Sequence, residues 1–421
     1  MEFRMSRLRT SSLPVLLLLF VGLPVFWAFP DELPLWRATG VLLGWTGAGL
    51  LLFSLLLMVR EVRLASSLGG LERITAWHHR AGMAAYVLLL AHPLTLAAAG
   101  WAESPELAWQ VISPLSENWP VWLGWVGLIL LMLGLATTFM SRLAYGAWRW
   151  LHSLLGLGAL IGFVHILQLG ISAGGLLALA TAMLLLLWRL LRVDLGAAAK
   201  PYIVTSVRSV AQSMVEVTLK PLGVPIDAAP GQFALTAFFR GPRYQGCGEF
   251  HPFTISGIGD GHELRIGVKA LGDCTRRMQR LEPDVAARVH GPFGEFLKDV
   301  PSRPLLWVAG GIGITPFIGF LRQQAVETPT TLIYLYRGEP DAAYLDELAS
   351  LAKDSPGLAL QAVATGTDMP DMNRLLPEFA ALANHECYVC GPPGLIAAVS
   401  QALLERSIPN ERIHFEHFDF R

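Results

Sequence analysis

Charge is scarce in this chain: 15% of its 421 residues are Asp, Glu, Lys or Arg, against about 25% in soluble globular proteins. That deficit excludes a purely soluble protein. The few charges nearly cancel, with a net of −1, so no basic field exists to recruit nucleic acid. Cysteine is sparse as well. Four cysteines, all in the second half at Cys247, Cys274, Cys387 and Cys390, exclude a disulfide-built scaffold. Low-complexity tracts are lacking, and a hydrophobic content of 53% excludes disorder of the whole chain.

Long apolar runs are abundant instead. Six, at about 13–29, 39–59, 76–99, 120–140, 148–169 and 171–191, approach the length of about 20 residues that spans a bilayer. The first follows Arg4, Arg7 and Arg9 as a signal peptide would. No small-x-small cleavage site comes after it, so a retained helix is expected. Arg60, Arg63, Arg73 and Arg80, then Arg142 and Arg149, then Arg189 and Arg192 all fall on the side of the first cluster. The opposite loops carry Asp31, Glu32, Glu103, Glu106 and Glu117. The basic side is the cytoplasmic one, which puts the N-terminus and the second half of the chain in the cytoplasm.

Composition changes between Asp194 and Pro201. Short alternating, β-branched segments follow to about residue 300 and predict antiparallel strands. From Pro304 strands alternate with helices, which predicts a parallel α/β sheet. The expected fold is a six-helix transmembrane bundle (1–198), an antiparallel β-barrel (199–300) and an α/β nucleotide domain (301–421).

Five of eleven histidines lie among the apolar runs: His78, His79, His92, His152 and His165. Ionisable groups at membrane depth are costly and point to function. Steps of 13 or 14 residues separate them by about 20 Å along a helix. Two helices running the same way then present two histidine pairs, each able to ligate a haem iron from both faces. A proton relay would want Asp or Glu partners, and none stands out in these helices. A 14-residue step from His78 to His92 returns to within about 40° of one helix face, while 13 from His79 lands about 140° away. The expected ligands are therefore His78 with His152 and His92 with His165, with His79 as the alternative to His78.

In the second half, His251-Pro252-Phe253-Thr254-Ile255-Ser256 is extended backbone able to lie along a flat ring. It precedes a strand ending in Val268 and Lys269 and the turn Gly272-Asp273-Cys274-Thr275, which opens a helix suited to a diphosphate. Alternation along the strand turns Thr254 away from Phe253 and Ile255, toward the ring's reactive edge. Gly310, Gly311, Gly313, Ile314, Thr315 and Pro316 join an apolar strand to a helix, as a pyrophosphate-binding loop does. Cys390, Gly391 and Pro392 end another strand. Cys387-x-x-Cys390 is half a zinc site without a second pair; the Cys390 thiol is expected to face a bound ring.

Together these motifs resemble the ferric reductase and NADPH oxidase superfamily over nearly the whole chain. The resemblance implies FAD on His251–Ser256 and Gly272–Thr275, NAD(P)H on Gly310–Pro316 and Cys390–Pro392, and two b-type haems. Phe418, with Phe420 as the alternative, resembles the family's terminal aromatic over the flavin. Thr254, Cys390 and Phe418 are then the residues at the reacting edge. Arg337, after the second strand of the nucleotide domain, resembles the arginine that meets the 2′-phosphate of NADPH. The implied activity is electron transfer from cytosolic NAD(P)H through FAD and haem to an acceptor on the outer face of a bacterial inner membrane. The outer loop at 100–119 offers no His or Cys, which favours dioxygen over ferric iron as acceptor. The rival reading is a membrane-anchored flavin reductase without haem that serves quinone or a periplasmic partner. Neither calcium control nor an obligatory protein partner is expected.

Overall fold

A computed structural model describes residues 13–23, 29, 32–115, 118–140, 143, 145–298, 300–368, 370–378, 382 and 384–416. Phe418 and Phe420, and the basic residues Arg4, Arg7, Arg9 and Arg142, lie outside them. The chain divides into two compact units, with the division after Leu195.

The first unit is helical. Among the described residues five helices are long and apolar enough to cross a membrane: Leu35–Leu57, Leu71–Trp101, Trp119–Phe139, Gly146–Gln168 and Ala173–Asp194. The described part of the first expected span is the shorter helix α1, Leu13–Leu23. Helix α2 (Leu35–Leu57) packs along α4 (Leu71–Trp101). Between them α3 (Val62–Ser67) is started by the Glu61 carboxylate, which accepts from the Arg63 and Leu64 amides. After α5 (Pro105–Ile112), helix α6 (Trp119–Ala136) packs on α8 (Leu154–Gln168), which α7 (Tyr145–His152) precedes. Helix α9 (Ser172–Arg189) closes the unit.

The second unit opens with a closed antiparallel barrel in the order β1-β2-β5-β4-β3-β6. Its strands are β1 (Lys200–Ala211), β2 (Met214–Pro221), β3 (Phe233–Phe238), β4 (His251–Ile258), β5 (Leu264–Lys269) and β6 (Ala286–Phe293), with α10 (Asp273–Met278) after β5. Phe253, Ile255 and Val268 lie in its core with Val217, Ile266 and Val289. Then comes a parallel sheet in the order β11-β10-β7-β8-β9. It comprises β7 (Leu305–Gly310), β8 (Thr330–Tyr336), β9 (Leu358–Ala364), β10 (Glu386–Cys390) and β11 (Ile413–Glu416). Helices α11 (Thr315–Leu321), α12 (Leu345–Lys353), α13 (Met372–Leu375) and α14 (Pro393–Glu405) flank it.

Alternate residues of each strand feed two cores. Trp307, Ala309, Tyr334 and Cys390 face α11 and α12, while Leu306, Val308, Ile333 and Cys387 face α14. Cys387 and Cys390 therefore point to opposite faces of the sheet and cannot share a ligand. Burial pushes the Cys387 thiol up to about 12, which makes it an inert core residue.

Candidate functional site

Helix α4 carries His78 and His92, and their ring nitrogens are tied to the antiparallel α2. His92 Nδ1 lies 2.7 Å from the Gly40 carbonyl. His78 Nδ1 lies 2.7 Å from Ser54 Oγ and 3.1 Å from the Ser54 carbonyl. On α8, His165 Nδ1 lies 2.6 Å from the Pro120 carbonyl. A carbonyl only accepts, so Nδ1–H donates and the lone pair is left on Nε2, the arrangement typical of a metal-bound histidine. Two glycines make room for these rings: a Cβ on Gly44 would stand 2.8 Å from His92 Nδ1, and one on Gly124 3.1 Å from His165 Cε1.

His152, at the end of α7, has its ring centre 6.4 Å from that of His78. Two imidazoles bound on opposite sides of one metal at about 2 Å per nitrogen sit with ring centres about 6 Å apart. His152 stacks on Trp148 at 4.8 Å, and its Nδ1 is buried with no hydrogen-bond partner among the described residues. His79 is exposed and lines a groove with Arg80, Met83 and Val87. The His78–His152 pair thus fits a haem iron, and the Nδ1 bonds of His92 and His165 leave each of them an Nε2 for the same use. Sequence reasoning missed the second tier (Ser54, Gly40, Gly44, Pro120 and Gly124). Ser54, a hydroxyl inside an apolar run, was its one legible signal.

In the second unit β4 pairs with β3 so that Thr254 stands opposite Phe233. Phe253 and Ile255 enter the barrel core, leaving Thr254 and Ser256 to the other face, where both are buried. His251 and Pro252 at the head of β4 are partly exposed. Burial holds the His251 imidazole below its ordinary value, against the charge of Glu249. At the Gly272 turn the Leu271 and Gly272 amides both donate to Thr275 Oγ1, at 3.0 and 2.9 Å. The turn is thus closed by its own hydroxyl rather than presenting those two amides outward. A Cβ on Gly272 would meet nothing within 4 Å.

The two glycine loops adjoin. Sheet order places β10 beside β7, with Ala309 opposite Cys390. The chain leaves β7 toward β8 on one side and returns to β10 on the other, and such a switch point opens a crevice at the carboxyl ends of the strands. A Cβ on Gly313 would collide with the Cys390 carbonyl, and one on Gly310 with Leu395. Lys269 Nζ, from the end of β5, stands 3.3 Å from where a Cβ of Gly311 would lie. Ile314 and Thr315 are buried at the start of α11, Thr315 Oγ1 donating to the Ile312 carbonyl at 2.8 Å. Gly391 packs on Gly310 and Pro392 caps α14. The Cys390 thiol is fully buried in the core beneath the loop. Arg337 is exposed just past the carboxyl end of β8. Because the Gly313 clash is with rigid backbone, Gly313→Ala is expected to cost about 2 kcal/mol or more and to raise the Michaelis constant for the nucleotide, read by thermal unfolding and steady-state kinetics.

A buried ion-pair cluster, unforeseen from the sequence, joins barrel to sheet. Arg322, after α11, donates all five of its N–H bonds. They go to Glu216 Oε1 at 2.7 Å and Oε2 at 3.3 Å, the Ser256 carbonyl at 2.7 Å, and Glu347 Oε1 at 2.7 Å and Oε2 at 2.9 Å. Ser256 Oγ donates to Glu216 Oε1 at 3.0 Å. Burial pushes the Glu216 and Glu347 carboxyls up, but the hydrogen bonds and charge of Arg322 outweigh it and leave both below the ordinary range. The cluster ties β2 and β4 to α12 and the end of α11.

Residues 43–163 match the family described as ferric reductase like transmembrane component, and residues 307–401 the oxidoreductase NAD-binding domain. The chain is 30% identical over 194 residues to a probable dihydroorotate dehydrogenase B (NAD(+)) electron transfer subunit of Methanopyrus kandleri, covering 44% of this chain and 67% of that one. It is 23% identical over 211 residues to the ferredoxin–NAD(P)(+) reductase component of a naphthalene 1,2-dioxygenase system of Pseudomonas putida, covering 47% of this chain. It spans 62% of that relative's length. Among solved structures, the flavohem-like FAD/NAD-binding domain of nitric oxide dioxygenase from Vibrio cholerae matches 52% of this chain and 98% of its own, at 20% identity and a TM-score of 0.45.

Proposed function

Because this chain has the ferric reductase and NADPH oxidase type of architecture, a ferric-reductase-like membrane component followed by an oxidoreductase NAD-binding domain, we propose that it carries electrons from NAD(P)H across a membrane to a small acceptor. The observation that carries this reading is the histidine column: two tiers of half-buried imidazoles, three with Nδ1 engaged, which leaves Nε2 for a ligand role. Bound flavin and haem supply the change from two-electron to one-electron chemistry and the relay through the bilayer. His78 with His152 and His92 with His165 hold the two haems. The extended backbone of β4 lies along the flavin, and Thr254 sets a hydroxyl at its reacting edge. The Gly310–Gly313 and Cys390–Pro392 loops receive the dinucleotide, and Phe418 covers the flavin until the nicotinamide enters. The basic loops support a second unit and an N-terminus on the cytoplasmic side of a bacterial inner membrane. Dioxygen, which needs only access to the outer haem, is the acceptor we favour, ahead of ferric iron.

The test is the reduced-minus-oxidised visible spectrum of the purified protein, with haem and flavin counted per chain. Two b-type haems and one FAD are expected. A flavin spectrum without haem overturns the reading in favour of an anchored flavin reductase serving quinone or a periplasmic protein.

Nucleotide choice rests on Arg337, whose guanidinium suits a 2′-phosphate through a two-pronged hydrogen bond. Arg337→Ala is expected to raise the Michaelis constant for NADPH about 10-fold or more and to spare NADH, since a hydrogen bond to a charged group contributes about 1.5–3 kcal/mol. Equal effects on both nucleotides sink the assignment.

A further inference from the structure

Four side chains converge outside the nucleotide crevice. Cys247 and Glu249 lie in the loop before β4, His251 at the head of β4, and Cys274 in α10; their donor atoms all lie within 4.8 Å of one another. In this structure Cys247 and Cys274 are joined as a disulfide across 27 residues, with Cα atoms 5.9 Å apart. A disulfide needs the two sulfurs alone. It gives no reason for an imidazole and a carboxylate to close on the same point.

The His251 spacings match those of co-ligands, although the contact to Cys247 is also a weak hydrogen bond to sulfur. His251 Nε2 lies 3.8 Å from Cys247 Sγ and 3.7 Å from Glu249 Oε2. A charge-assisted N–H···O bond closes to about 2.8 Å. By contrast, a tetrahedral zinc with bonds of about 2.0–2.3 Å holds its ligand atoms about 3.5 Å apart. The donor set also chooses the metal. Two thiolates, an imidazole and a carboxylate are a four-coordinate, borderline-soft set that suits zinc better than calcium or magnesium, which prefer six or more oxygens.

We propose that the reduced form of this cluster is a zinc site, with Cys247, Cys274, His251 and Glu249 as its ligands. The site clamps the loop before β4 to the Gly272–Thr275 turn. It thereby fixes both ends of the flavin-binding strand-and-turn from the outside. Reduction of the disulfide by an added phosphine takes an oxygen from water into the phosphine oxide and leaves two thiols; zinc then displaces their two protons. The proposal is independent of the haem assignment, since no membrane residue takes part.

The experiment uses the full chain purified in detergent with a phosphine reductant and dialysed against zinc chloride. Zinc is counted by elemental analysis, and the thiols by alkylation and mass spectrometry. One zinc per chain is expected in the wild type. Cys247→Ser and Cys274→Ser should each lose it, and zinc should shield both cysteines of the wild type from alkylation at least 10-fold. The shielding measurement needs no variant, so it decides the matter even if a serine variant fails to fold. Zinc retained in both serine variants, or cysteines alkylated equally with and without zinc, overturns the proposal and leaves the pair a plain disulfide. The haem spectrum, recorded on the same samples, reads the membrane proposal separately.

Discussion

On the proposed haem assignment, alanine at His78 is expected to remove one haem of two, while alanine at His79 leaves both. The two residues are neighbours on α4, and a helix turns them about 100° apart, so one metal cannot use both. His78 has its Nδ1 fixed by Ser54 and its ring centre 6.4 Å from that of His152. His79 points into an exposed groove beside Arg80. In His78→Ala, reduction of an outer acceptor by NADPH should fall to background, because the relay across the bilayer loses its inner station, while reduction of a soluble dye at the flavin persists. Ser54→Ala is the graded companion. It leaves the ligand and removes its orienting hydroxyl, for which losses of about 10-fold to 100-fold in retention are usual. Loss of a haem in His79→Ala with retention in His78→Ala reverses the assignment.

The histidine column also shows where a sequence stops being readable. Runs of apolar residues and the 13- and 14-residue steps mark helices and the heights of the imidazoles, because both are local properties of one helix. What ties each ring lies far off in the chain: Ser54 is 24 residues from His78, Gly40 is 52 from His92, and Pro120 is 45 from His165. No periodicity announces a backbone carbonyl as a partner. In the second unit the glycine loops and the strand–helix alternation are legible, since tight turns need particular residues. The adjacency of Gly313 and Cys390 depends on β10 lying beside β7, a sheet order that only the folded topology fixes. At the Gly272 turn the residue types were readable but their use was not, because Thr275 Oγ1 takes the two amides for itself. Arg322 reads as an ordinary surface arginine at a helix end. Its burial at 9% exposure follows from two domains closing over it.

That burial makes Arg322→Ala the most damaging single change expected in the second unit. Removing the guanidinium leaves Glu216, which is 4% exposed, and Glu347 with Arg208 alone, which is 57% exposed and reaches both through one nitrogen at 2.9 and 3.3 Å. Breaking a buried pair from one side costs about 3–5 kcal/mol, which for a unit of this size lowers the melting temperature by on the order of 10 °C. Thermal release of flavin from the full chain reads the loss. The pH dependence separates charge from mere packing. Both carboxyls titrate below their ordinary value of 4.5 in the folded protein. Such groups contribute stability that is fully present above their unfolded pKa and is lost as pH falls through the folded one. The gap between wild type and Arg322→Ala should therefore be widest at neutral pH and should shrink once the pH drops below about 4.5, as the carboxyls protonate and the wild type loses its advantage. Arg322→Lys restores the charge without the five-donor fork and should recover part of the difference. Because the cluster holds β4 through the Ser256 carbonyl, the alanine variant should also lower the rate of hydride transfer more than it raises the Michaelis constant for the nucleotide. A gap that stays constant from about pH 7 to about pH 4 shows that the cluster acts by packing alone.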